Sequence, residues 1–217
     1  MTMMNRVASI PFPKKGRPFS FDREVALRRA MMLFWEHGYE ATSLKDLTSA
    51  LGVPPSSIYS AFGDKKGLFL EAVDHYLSGP VTSETIIAQA ATAREAALSL
   101  LRAAATGFTG TDTPPGCLLA SSAISCSQAA AEVKDELARR RRAIESMLKR
   151  RIVLAIRTGE IPEKSDADAL ASHTMAVIQG MSTLARDGAK REKLLRLADT
   201  AILAWPVLAK KRAPRGS

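Results

Sequence analysis

Apolar residues recur at spacings of three and four along almost the whole chain, and no stretch alternates with the period of two that marks a strand. The pattern predicts an all-α protein of about nine helices. The first helix starts near Asp22, after cap oxygens in Phe19-Ser20-Phe21-Asp22. It carries Val25, Ala26, Met32, Leu33 and Phe34, and His37-Gly38 closes it. Phe34 and Trp35 read as core. Leu44, Leu47 and Leu51 then share one face of a short helix capped by Thr42 or Ser43, with Asp46 three residues beyond Ser43. Gly52 ends it, because glycine takes a positive φ at no steric cost. Pro54 and Pro55 cannot continue a helix but can open one. The next short helix turns Ile58 and Phe62 inward and leaves Ser56, Ser57, Tyr59 and Ser60 as a hydroxyl-rich surface. Gly63-Asp64 breaks and caps again, and a helix runs from Lys65 to about Leu77. Ser78-Gly79-Pro80 ends that helix and is the clearest domain boundary.

The remainder, 81–208, reads as helices throughout. Residues 84–106 form one or two Ala-rich helices, and Gly107 to Gly116 is a loop. A short helix is expected from Cys117 to Ser127 and a long one from Glu132 to Thr158. The apolar stripe of the long helix, Val133, Leu137, Ile144, Leu148, Ile152 and Ile156, is interrupted by the charged row Arg139 to Arg142. Ser165, with Asp168 three residues on, is expected to cap a helix that reaches Asp187-Gly188. A last helix runs from Lys190 to about Trp205.

Two short helices around a tight turn, packed by a helix before and a helix after, are the layout of a helix-turn-helix. Its second helix enters a DNA major groove. The charge fits a polyanionic partner only in part. The chain of 217 residues has a net charge of +9, yet residues 1–80 hold 10 Lys/Arg against 8 Asp/Glu and residues 81–217 hold 21 against 14. Net charge therefore does not locate the site. The segment 1–20 is read as a flexible basic arm, with Arg6, Lys14, Lys15 and Arg17 and no acid. Its place before the reading head favours contact with phosphates or the minor groove, with Arg17 nearest. Residues 209–217 form a basic tail. Two cysteines, Cys117 and Cys126, are too few for a disulfide scaffold or a zinc site, and they fit a reducing compartment. Apolar runs are too short for a membrane span, and the N-terminus lacks a signal-peptide core. A cytoplasmic protein with no metal and no cofactor is expected.

Residues 22–70 resemble the tetracycline-repressor (TetR) family of bacterial regulators. The resemblance rests on an ordered set of motifs: Phe34 to Gly38-Tyr39, Ala41-Thr42-Ser43, Leu44-x-x-Leu47, Leu51-Gly52-Val53, Ser57-Ile58-Tyr59 with Phe62, and Lys65-x-x-Leu68-Phe69. It covers about a quarter of the chain. The rest is similar to the family only in helix number and length. One departure is visible: Ala61 stands where family members often carry His, so one phosphate-side contact is absent.

The resemblance implies a DNA-binding domain over 21–78 and an effector-binding and dimerisation domain over 81–208. It implies a homodimer on a palindromic operator, released by a small-molecule effector. It assigns phosphate contacts to Thr42, Tyr59 and Lys65. Pro55, Ser56 and Ser57 begin the recognition helix and are placed to meet base edges, and Ser60 can serve either role. None of these has the bidentate groups that read G or A well, so shape readout is expected to carry part of the specificity. The family puts its dimer interface on the last two helices, here Val177, Gly180, Met181, Leu184, Leu194, Leu197, Ala201 and Trp205. Candidate effector-pocket residues are Phe108, Cys117, Cys126, Met147, His173, Met175 and Gln179, for each of which core packing is the competing role. Two rival readings are a helical scaffold without a DNA role and a Cys/His enzyme. No spacing supplies the orienting group such an enzyme needs.

Overall fold

A computed structural model describes residues 21–122 and 127–207. Arg17 and Cys126 therefore lie outside the described residues, as do the arm and the tail. Ten α-helices and two 3-10 turns make up the described chain, with no strand among the described residues.

Helix α1 (Arg23–His37) is capped by Asp22, whose carboxylate accepts from the amides of Glu24 and Val25. Helix α2 (Leu44–Leu51) opens with a reciprocal capping box. The Ser43 hydroxyl accepts from the Asp46 amide at 3.1 Å, and the Asp46 carboxylate accepts from the Ser43 amide at 2.9 Å. Gly52 then takes φ +68°, the left-handed geometry the turn needs. Helix α3 (Pro55–Phe62) has Pro at its first position, where no amide is missed. Asp64 caps α4 (Lys65–Leu77).

The body follows as α5 (Ser83–Gln89), α6 (Ala93–Gly107), α7 (Leu118–Ser121), α8 (Ala131–Arg157), α9 (Ala167–Arg186) and α10 (Arg191–Ala201). The Ala-rich segment thus makes two helices. The helix expected from Cys117 to Ser127 is described only over the four residues of α7. The last helix tightens into a 3-10 turn at Ile202–Ala204. The cap of α9 is Asp166, not Ser165: the Asp166 carboxylate accepts from the amides of Asp168 and Ala169. Both are good cap residues, and the carboxylate has taken the position. The Ser165 hydroxyl is left buried without a partner.

Three apolar clusters fill the molecule. The first joins α1 to α4 through Phe34, Leu47, Ile58, Leu68 and Phe69, all without exposed surface. Its aromatic centre is a T-shaped pair, Phe34 against Phe69 at 5.0 Å. This cluster does not stop at the end of α4. It continues into Leu118 and Leu119 of α7 and Val133 and Leu137 of α8. The second cluster packs α5 and α6 on α8 with Trp205. The third packs α6 on α9 and α10.

Ion pairs tie α8 to α4. Arg140 reaches Asp74 and Glu136, and Lys66 reaches Glu132 at 2.5 Å. Hydrogen bonds from Arg139 and then Arg140 hold the Glu136 carboxyl at about 2, below its ordinary 4.5. A depressed carboxyl stabilises the fold above its ordinary value and loses that contribution as pH falls from 4.5 towards 2. We expect Glu136→Gln to make the fall in melting temperature across that window shallower than in the unaltered protein.

Candidate nucleic-acid interface

Helix α3 is the outermost element of the first cluster. Ile58 and Phe62 are buried, whereas Pro55, Ser56, Tyr59 and Ser60 are exposed and Ser57 is half-buried. Tyr59 keeps 51% of its surface exposed, unusual for a tyrosine with an aromatic core beneath it. The face is therefore polar, with one ring standing out.

The mount of α3 depends on residues far away in sequence. Arg23 pairs with Glu71 at 2.6 Å, donates to the Ala61 carbonyl at 3.3 Å and lies 4.6 Å over the Phe62 ring. One guanidinium thus locks the start of α1, the end of α3 and the middle of α4. Gly67 sets how closely α4 approaches α3: a Cβ there would sit 2.1 Å from the Phe62 carbonyl oxygen.

Lys65 begins α4, where a cation meets the positive end of the helix dipole. Its ammonium rests 4.4 Å over the Tyr39 ring and donates to the Glu40 carbonyl at 3.5 Å. Burial pushes its pKa below the ordinary lysine range. An anion at the N-terminus of α4 would relieve both conditions.

Thr42 does not face outwards. It is 1% exposed, and its hydroxyl donates to the Gly38 carbonyl at 2.7 Å. The side chain is committed to closing the α1–α2 connection, so the phosphate role expected of it is corrected. Ser43, not Thr42, is the cap. Lys45 is exposed on α2 and forms no ion pair among the described residues.

In the body, a cavity of about 280 Å³ lies where α4, α6, α7, α8 and α9 meet. Of the expected pocket residues, Phe108, Cys117, Met175 and Gln179 line it. Met147 and His173 do not: Met147 packs against the second cluster, and His173 has a buried Nδ1 without a partner. Trp35 and Tyr76 also line the cavity, with ring centroids 4.9 Å apart, and both belong to the reading head. Tyr76 Oη donates to Cys117 Sγ at 3.6 Å. Burial raises the pKa of the Cys117 thiol, the opposite of what a reactive thiolate needs.

Comparison with known proteins matches both parts of this architecture. Residues 26–72 fit the family described as bacterial regulatory proteins, tetR family, and residues 86–200 fit the tetracyclin repressor-like C-terminal domain. The chain belongs to the tetR family. It is 37% identical over 198 residues to the HTH-type transcriptional repressor ComR of Escherichia coli (strain K12), an overlap of 90% of this chain and 94% of that one. Among solved structures it is similar to a cysteine mutant of the TetR family transcriptional regulator CifR complexed with 26bp double-strand operator DNA. That match has a TM-score of 0.83 and 38% identity, covering 88% of this chain and 100% of the other. A TetR family regulator from Cytophaga hutchinsonii shares the fold at 21% identity, with a TM-score of 0.70 over 86% of this chain and 96% of that one.

The protein is a tetR-family transcriptional repressor, and the fit of α3 on α4 sets the pose of the second helix of its helix-turn-helix. Replacing Gly67 by Ala forces Phe62 and the end of α3 to move. We expect a loss of about 1–3 kcal/mol in urea unfolding, the usual cost of overpacking.

Proposed function

We propose that the protein represses transcription as a homodimer on a palindromic operator and that a small molecule bound in the body releases it. The observation that carries this is the cavity between head and body, whose walls include Trp35 of α1 and Tyr76 of α4. A ligand there presses on the two helices that carry α3. The dimer without ligand holds two recognition helices about 34–36 Å apart, one turn of DNA. Ligand binding favours a state with a different spacing, and by reciprocity DNA weakens ligand binding by the same factor. The operator complex of CifR supports the DNA partner. Among the described residues no helix is long and apolar enough to cross a membrane, in keeping with a cytoplasmic regulator. Nothing in this mechanism calls for catalysis.

In this reading Tyr59 and Lys65 grip phosphates, Pro55 and Ser56 meet base edges, and Ser57 and Ser60 flank them. Arg17 belongs to an arm outside the described residues. The dimer face is the outer side of α9 and α10. Ala176, Gly180 and Thr183 are exposed there at helical spacing, beside half-buried Val177, Leu184 and Leu197. Met181, Leu194, Ala201 and Trp205 serve the chain's own core, at 0%, 0%, 8% and 3% exposure. Their expected place at the interface is corrected: the apolar stripe of each helix points inwards, and the small-residue stripe beside it is what remains for a second copy.

Two measurements test this. Fluorescence anisotropy against DNA from the protein's own genomic neighbourhood should find a palindromic site bound far more tightly than random DNA at physiological salt. Tyr59→Ala should weaken both about equally, by about tenfold, whereas substitution of Ser56 should change sequence preference. A Cβ on Gly180 would meet nothing within 4 Å, so Gly180→Arg should fold normally. It should nevertheless run as a monomer in light scattering and lose operator affinity.

A further inference from the structure

Arg141 lines the cavity, and its surroundings are unusual for a guanidinium. It donates to the Leu119 carbonyl at the cavity wall. It makes no ion pair with any described residue, although its neighbours Arg139 and Arg140 are both paired. Burial lowers its pKa from the ordinary value; neighbouring Cys117 offsets part of that, Arg142 adds to it, and no carboxylate contributes. A guanidinium carries five donors in a fixed fork, and one carbonyl does not satisfy them. The rest of the wall is chiefly apolar, with Leu100, Ala104, Phe108, Ile144 and Ile178 among its members. The site thus has a greasy body and one unneutralised cation.

That combination selects a ligand class. A half-buried Arg without a counter-ion recovers its desolvation cost when a carboxylate supplies two parallel acceptors. A neutral ligand leaves the charge as it was, and a cationic one is repelled. Size narrows the class further. A cavity of about 150 Å³ takes one benzene, with its six non-hydrogen atoms, so on the same scale 280 Å³ takes about ten.

We propose that the cavity is a site for a small organic monoanion, an apolar body of about ten non-hydrogen atoms bearing one carboxylate, with Arg141 as the anchor of that carboxylate. This deepens the preceding reading and rests on it. Arg141 stands on α8, immediately after the Arg140 that pairs with Asp74 of α4. A carboxylate drawn to Arg141 therefore acts beside the link between body and reading head.

The test is isothermal titration calorimetry on the full chain with phenylacetate, hexanoate and octanoate, each against its neutral amide. The acids should bind at least tenfold more tightly than the amides. Arg141→Gln should remove that preference, lowering acid affinity while leaving amide affinity within about twofold. Arg141→Lys, which keeps the charge but loses the fork, should bind the acids severalfold more weakly than the unaltered protein while still preferring them to the amides; unchanged acid affinity there overturns the proposal even where the glutamine variant folds poorly. The proposal is overturned if no acid in the panel binds, if acids and amides bind alike, or if the preference survives in Arg141→Gln. Operator affinity measured on the same samples separates the two claims. Acid binding that depends on Arg141 but leaves operator affinity unchanged upholds the site and removes effector release. Operator release by the amides as readily as by the acids does the reverse.

Discussion

The joint at Gly116–Ser122 is the constraint on which the rest depends. This strap, with α7 at its centre, is wedged between the end of α1 and the side of α9, and both sides hold it by backbone. Trp35 Nε1 donates to the Gly116 carbonyl at 3.1 Å, and the Tyr39 amide donates to the Ser122 carbonyl at 3.0 Å. From the body, the Ser182 hydroxyl accepts from the Cys117 amide at 2.8 Å, and Arg186 donates to the carbonyls of Trp35 and Glu36. Gly116 has φ +84°, and a Cβ there would lie 2.9 Å from the Ser182 carbonyl. The fit admits no side chain. Head and body are thus joined through an apolar cluster and a set of hydrogen bonds to backbone groups, and the cavity lies directly against that joint.

Much of the fold was legible in the sequence because helix ends are local events. Asp22, the Ser43/Asp46 pair, Gly52, Pro55 and Asp64 each act on amides or φ angles within four residues, so their chemistry can be read in place. The one cap read wrongly, Ser165 for Asp166, concerns two neighbours of nearly equal merit. Residues whose role depends on a distant partner were not legible. Arg23 meets Glu71 across 48 positions, a pairing no local pattern marks. Gly67 is where α3 touches α4.

The site shows the same division. Tyr59 and Ser56 were readable because a short helix with two inward residues must turn its others out. Thr42 was misjudged because only the tertiary fold shows its hydroxyl committed to Gly38. Arg141 sat inside a run of four arginines that seemed merely to interrupt an apolar stripe. The fold distributes them: Arg139 and Arg140 to carboxylates, Arg141 to the cavity, Arg142 to solvent. Likewise, an apolar stripe on α9 and α10 does not say whether its partner is another helix of the same chain or a second copy.

Reading head, strap and cavity form one mechanical series. Hydrogen exchange followed by mass spectrometry, with and without a palindromic operator duplex, tests that series most directly. Slowed exchange is expected over α3 and the start of α4, together with a change at Gly116–Ser122 and at the end of α1, where the strap is held. Protection confined to residues 42–66, with the strap unchanged, would contradict it.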